Sequence, residues 1–256
     1  MRPSNKTSMG GGKSVFQTTR WSEILRAKTD DQALRRMIIG KLMTTYWKPV
    51  YCYLRHKGHT NEVAKDLTQG FFHEIVLGRE LIQQADKTKG RFRTFLLTAL
   101  ERYVVDVYRS DTRKKNRPEA GFVRLEFADP INLPTTKVGV TPEQAFCYGW
   151  AADLLDQVLA EVKEEYCSTG RAKHWEVFRL KVLVPIFDDV KDPSLAEICR
   201  KYGIVDESKA SNMIITVKRR FRAVLKRHLR ELVRSDLEVE EEFRDFLRIL
   251  SDSGAG

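Results

Sequence analysis

The chain has 256 residues, of which 45 are Lys or Arg and 35 Asp or Glu, giving a formal net charge of +10 and a pI of about 9.4. With 42% hydrophobic and 31% charged residues it carries enough apolar material for a packed core. That excludes global disorder, and the length suits one large domain or two small ones.

No apolar run approaches the roughly 20 residues that cross a bilayer, and the first 14 residues lack the apolar segment of a secretory signal. A soluble, cytoplasmic protein that does not engage a membrane is expected. Cys52, Cys147, Cys167 and Cys199 form no CxxC pair, so neither a disulfide framework nor a thiolate zinc site is indicated. Positive charge is concentrated. Residues 87–117 hold ten Lys or Arg against three carboxylates, and residues 209–234 nine against one. Residues 235–256 reverse the sign, with seven carboxylates against two Arg. Two separated basic segments in an otherwise balanced chain fit two contact surfaces for a polyanion.

In chain order, residues 1–14 are polar and Gly-rich and read as a disordered tail. The run Gly10 to Ser14 hints at a phosphate loop, but Thr7 stands where that loop needs a glycine, and no strand precedes it. From Trp21 the periodicity is helical. Leu34, Met37, Ile38 and Leu42 form one apolar face, and Pro49 is expected to interrupt or restart the helix before Gly58 ends it. Val63, Leu67, Phe71, Ile75 and Val76 mark a second helix with Asp66, Gln69 and His73 on its outer side. A third carries Phe92, Phe95, Leu96, Ala99, Leu100, Tyr103 and Val107 opposite Arg91, Arg102, Arg109 and Arg113.

Residues 116–140, with Pro118, Pro130 and Pro134, read as a linker. Thr141, Pro142 and Gln144 then supply an N-cap, a first-turn proline and the reciprocal partner of a capping box. The expected architecture is all-α, with two small helical domains at 15–115 and 141–234 joined by that linker. An acidic amphipathic helix at 235–256, with Phe243, Phe246 and Leu247 on its apolar side, is expected to pack on the basic second domain and mask it.

Ser194 and Glu197 form another capping box, and Gly203 supplies the positive φ that stops the helix they start. Asp206 or Ser208 then caps a longer basic helix with Met213, Val217, Phe221, Val224, Leu225, His228 and Leu232 on one side. A short capped helix, a glycine turn and a longer basic helix make a helix-turn-helix pattern. Ser208, Lys209, Ser211 and Asn212 would face base edges, and Lys218, Arg219, Arg220 and Arg222 would lie near phosphates.

Three segments carry a resemblance. Asp66-Leu67-Thr68-Gln69-Gly70-Phe71-Phe72, then Gly90-Arg91-Phe92-Arg93-Thr94-Phe95-Leu96 with Asp106 and Arg109, then Ser194-Leu195-Ala196-Glu197-Ile198 with Gly203-Ile204 occur in the order and spacing of one family. Over about Phe16 to Val233 the chain resembles an extracytoplasmic-function (ECF) sigma factor of bacterial RNA polymerase. The resemblance implies a region 2-like domain followed by a region 4-like one. It implies that Asp66, Gln69 and Phe72 meet core RNA polymerase, and that Lys87, Lys89, Arg91, Arg93, Arg102, Tyr103, Arg109 and Arg113 bind and open the minus-10 element. The helix-turn-helix residues Ser208, Lys209, Ser211, Asn212, Lys218, Arg219, Arg220 and Arg222 would bind the minus-35 element of promoter DNA. The family also admits an anti-sigma protein as partner. The turn Ile204 to Ser208 is one residue longer than the family's usual turn.

The physics fits that assignment. Strand opening breaks stacks worth about 1.4 kcal/mol per step, and basic side chains and aromatic surfaces hold what is exposed, about 1–3 kcal/mol per stacked base. Helical spacing favours core positions for Phe92 and Phe95 over Tyr103. Two other readings remain: a helix-turn-helix regulator that binds DNA without being a polymerase subunit, and a helical adaptor that contacts only protein. Cys52, His56 and His59 lack a fourth metal ligand, and His73-Glu74 lacks the second His of a zincin helix. No catalytic constellation and no cofactor site is recognisable, so an enzyme is not expected.

Overall fold

Asp31 starts the first helix by accepting hydrogen bonds from the backbone N–H groups of Ala33 and Leu34 at 2.9 and 3.1 Å, which satisfies donors that have no intrahelical partner. The computed structural model describes residues 31–74, 81, 91–111, 140–187, 192–233 and 236–254, and the fold is all-α, with no strand among these residues. Lys87, Lys89, Arg113, the tail at 1–14 with its GGGKS run, and nearly all of the 116–140 segment lie outside the described residues.

Helix α1, Gln32–His56, runs straight through Pro49, so the break expected there does not occur. A proline inside a helix costs ~3 kcal/mol or more in isolation, and close packing offsets it. Pro49 is buried where helix α4, Pro142–Ser168, crosses α1. A Cβ on Gly149 of α4 would sit 3.2 Å from Pro49 Cα and 3.3 Å from Cys52 Sγ, so a larger residue there would push the two helices apart by a few tenths of an ångström. Lys48 and Asp153 pair across the same crossing at 2.9 Å. The buried stripe of α1 is Ile38, Ile39, Leu42, Tyr46, Val50 and Leu54, whereas Met37, expected on the apolar face, points outward.

Helix α2, Asn61–Phe71, is capped by Thr60, and helix α3 is Phe92–Asp111. They meet at Gly70, where the Tyr103 hydroxyl lies only 2.2 Å from the place a Cβ would occupy. Ala64, Thr68, Phe71 and Phe72 face inward, while Val63 is exposed. Both reciprocal bonds of the expected Thr141–Gln144 box are present at the start of α4, at 2.8 and 3.2 Å.

Helix α5, Ala172–Phe178, passes through a π-helical turn, Arg179–Leu183, into the short α6, Val184–Phe187. Pro185 lacks the N–H that a regular turn would use, and the wider turn directly precedes it. Helices α7, Leu195–Tyr202, α8, Glu207–Leu232, and α9, Asp236–Gly254, complete the chain order. Helix α8 packs on α4, α5, α7 and α9. Buried side chains from Ile38 through Val104 and from Phe146 through Phe246 belong to one cluster.

Candidate nucleic-acid interface

The α7–α8 pair is built from its caps. Ser194 Oγ accepts from Glu197 N at 3.2 Å, and the Glu197 carboxylate accepts from Ser194 N at 2.8 Å. Gly203 closes α7 in the left-handed region at φ 60°. The N–H of Ile204 then reaches back to the Cys199 carbonyl at 2.9 Å, the longer bond of a Schellman ending. The Cys199 thiol donates to the Asp206 carbonyl at 3.3 Å, tying the turn to the next helix. Asp206, one of the two candidate caps, takes the N–H of Lys209 at 2.7 Å.

Burial of Ala210, Met213, Ile214, Val217, Val224, Leu225, His228 and Leu229 fixes the inner face of α8. Ser208, Lys209 and Asn212 are therefore exposed at its N-terminal end and Ser211 is half-buried, while Lys218, Arg219 and Arg222 are exposed further along. Arg220 is half-buried and donates to Glu165 at 2.8 Å. Two apolar side chains not expected at this tip also face outward: Val205, 83% exposed, in the turn, and Ile215, 57% exposed, on the helix. Ile215 stands off the apolar stripe between Met213 and Val217, which was the only signal in the sequence. Polar groups with a few methyls at the start of a helix match what major-groove base edges offer, thymine methyls included.

Farther down α8, Glu161 of α4 takes Arg227 and the buried His228, the latter at 2.9 Å. Burial alone would raise the Glu161 carboxyl, but the hydrogen bonds from His228 and Arg227 hold it below the usual range.

The first basic segment is arranged differently. Arg102 and Arg109 are exposed on α3. Tyr103 is 4% exposed, its ring 5.7 Å from that of Phe71. It is a core residue, against the expectation that it meets bases. Arg93 is 8% exposed, its guanidinium 4.3 Å over the Trp150 ring and paired with Glu242. Burial, and then the charge of Arg91, lower it to about 10, so it stays charged at neutral pH. Arg91 is half-buried between Glu242 and Asp245. A cavity lined by Tyr46, Arg91, Phe92, Arg93, Trp150 and Leu232 has room for no more than about one water molecule.

On α2 the exposed Asp66 and half-buried Gln69 lie on the outer side. Phe72 is fully buried, in edge-on contact with Phe71, which makes it an anchor of α2 and not a contact surface. His59 stacks on Tyr108, whose hydroxyl is 3.0 Å from His59 Nδ1. His56 Nδ1 donates to the Cys52 carbonyl. Among the described residues no three His, Cys, Asp or Glu gather as metal ligands would, and no helix is long and apolar enough to cross a membrane.

The chain matches no family profile, no curated protein and no solved structure.

Proposed function

We propose that this chain is a promoter-specificity subunit of the ECF sigma type, which joins core RNA polymerase, directs it to promoters and assists strand opening. The observation that carries the reading is the α7–α8 pair: a capped helix, a left-handed glycine turn and a second helix with Ser208, Lys209 and Asn212 exposed at its start. Lys218, Arg219 and Arg222 follow, exposed, along the same helix, where this motif meets the phosphate backbone. The outer side of α2, with Asp66 exposed, supports a protein contact separate from the DNA contact. Localisation in the cytoplasm, where the polymerase acts, belongs to the same reading.

A second reading, a helix-turn-helix regulator acting without the polymerase, draws on the same α7–α8 pair. Burial of Phe72, Arg93 and Tyr103 favours it, because three residues assigned to polymerase or minus-10 contacts are held inside the fold. Co-elution with purified core polymerase separates the two. Under the first reading the chain co-elutes with core, and Asp66→Lys abolishes this while leaving duplex DNA affinity unchanged. A chain that binds duplex and never core overturns the first reading in favour of the second.

A further inference from the structure

The acidic helix α9 sits on the cations that the proposed reading assigns to DNA. Glu242 is fully buried. One of its oxygens lies 2.7 Å from Arg91 Nε, the other pairs with Arg93, and Asp245 takes the second arm of Arg91. Two residues before Glu242, Glu240 pairs with Lys226 of α8, and the Phe243 ring lies under Arg222 and Lys226 at 5.2 and 5.5 Å. Phe246, 1% exposed, anchors the helix edge-on against Trp150, the same ring that carries Arg93.

Burying a carboxylate is costly, and a buried ion pair roughly breaks even against that cost, so it is weak evidence for a stabilising role. Guanidinium groups that pair with carboxylates also pair with phosphates. Carboxylates and an aromatic ring of α9 thus occupy cations of both basic segments at once.

We propose that α9 is an internal stand-in for nucleic-acid phosphates: docked, it keeps Arg91 and Arg93 from DNA, and these two arginines engage a promoter only when α9 leaves. This rests on the reading of the basic segments as DNA-binding. The tip of α8 is outside its footprint, since Ser208, Lys209 and Asn212 are exposed. The docked chain therefore still presents the tip of the helix-turn-helix, while α9 engages Arg222 and Lys226 behind that tip as well as Arg91 and Arg93.

Three full-length variants and a random-sequence duplex test this. Glu242→Gln removes the buried charge, Glu241→Gln removes an equal charge from the exposed face of α9, and Phe246→Ala loosens the anchor without changing net charge. If α9 is a strap, Glu242→Gln and Phe246→Ala tighten duplex binding by on the order of tenfold. They also steepen its log–log salt dependence by about two or more, one unit for each of Arg91 and Arg93 released, while Glu241→Gln stays near wild type. In the unmodified chain, backbone amides of residues 239–250 lose exchange protection when duplex is added, a readout that survives any folding defect in the variants. Glu242→Gln matching Glu241→Gln, Phe246→Ala matching wild type, and amides that stay protected under saturating duplex would overturn the strap and leave the promoter reading standing. Absence of duplex binding by every chain, wild type included, would overturn the promoter reading and the strap with it.

Discussion

Substituting Gly149 by Ala pits two effects of known size against each other. In a helix interior the change gains about 0.5–1 kcal/mol of propensity. Here the added methyl meets Pro49 Cα at 3.2 Å, Pro49 N at 3.4 Å and Cys52 Sγ at 3.3 Å. Two of those atoms are backbone in the middle of a 25-residue helix and cannot swing aside, so α1 and α4 must separate. Overpacking of this kind costs about 1–3 kcal/mol, which exceeds the gain and leaves Gly149→Ala destabilised by up to about 2 kcal/mol. Gly40 provides the internal comparison. It also lies in α1 and a Cβ there meets nothing within 4 Å, so Gly40→Ala is stabilised by about 0.5–1 kcal/mol. Urea unfolding of both variants, with m-values compared to confirm unchanged compactness, reads the difference. For a chain of this size each kcal/mol is about 2–4 °C in Tm. Gly149→Ala gaining as much stability as Gly40→Ala would refute the close crossing of α1 and α4.

Gly203→Ala forces a Cβ into the left-handed conformation at φ 60°, and should cost about 1–2 kcal/mol in thermal unfolding. Because the Glu161 carboxyl is held below its ordinary value by His228 and Arg227, its folded-state contribution is fully present above the unfolded value of about 4.3 and is lost as pH falls through the lower folded value. Glu161→Gln should accordingly flatten the acid limb of a stability–pH curve while leaving its shape near neutrality unchanged. Removing Lys218 or Arg219 should weaken binding to all duplexes alike and lower the salt slope by about one each, measured by fluorescence titration at several ionic strengths.

Local signals in the chain were read correctly where chemistry acts over a few residues. The Thr141–Gln144 and Ser194–Glu197 boxes, the Gly203 turn and the Asp206 cap all depend on groups within four positions of one another. The inner face of α8 follows from its strong periodicity. What escaped was whatever a distant partner decides. Pro49 stays helical because Gly149 packs on it from another helix. The family resemblance puts Phe72 and Tyr103 on contact surfaces, although Tyr103 lies on the apolar stripe of its own helix; α2 and α3 close on each other at Gly70 and bury both. Arg93 resembles its basic neighbours in sequence, yet Trp150 and Glu242 enclose it from far along the chain. A charge count sees a basic segment and an acidic tail, but not that one lies on the other.

Transcription by purified core polymerase, with the 5′ ends of the transcripts mapped on fragmented genomic DNA from the same source as the polymerase, tests the promoter-specificity claim most directly. Adding this chain is expected to create new start sites, each a fixed distance downstream of two shared sequence elements, and Asp66→Lys is expected to erase them. Start sites identical to those of core enzyme alone, obtained with a chain that still binds duplex DNA, would contradict it.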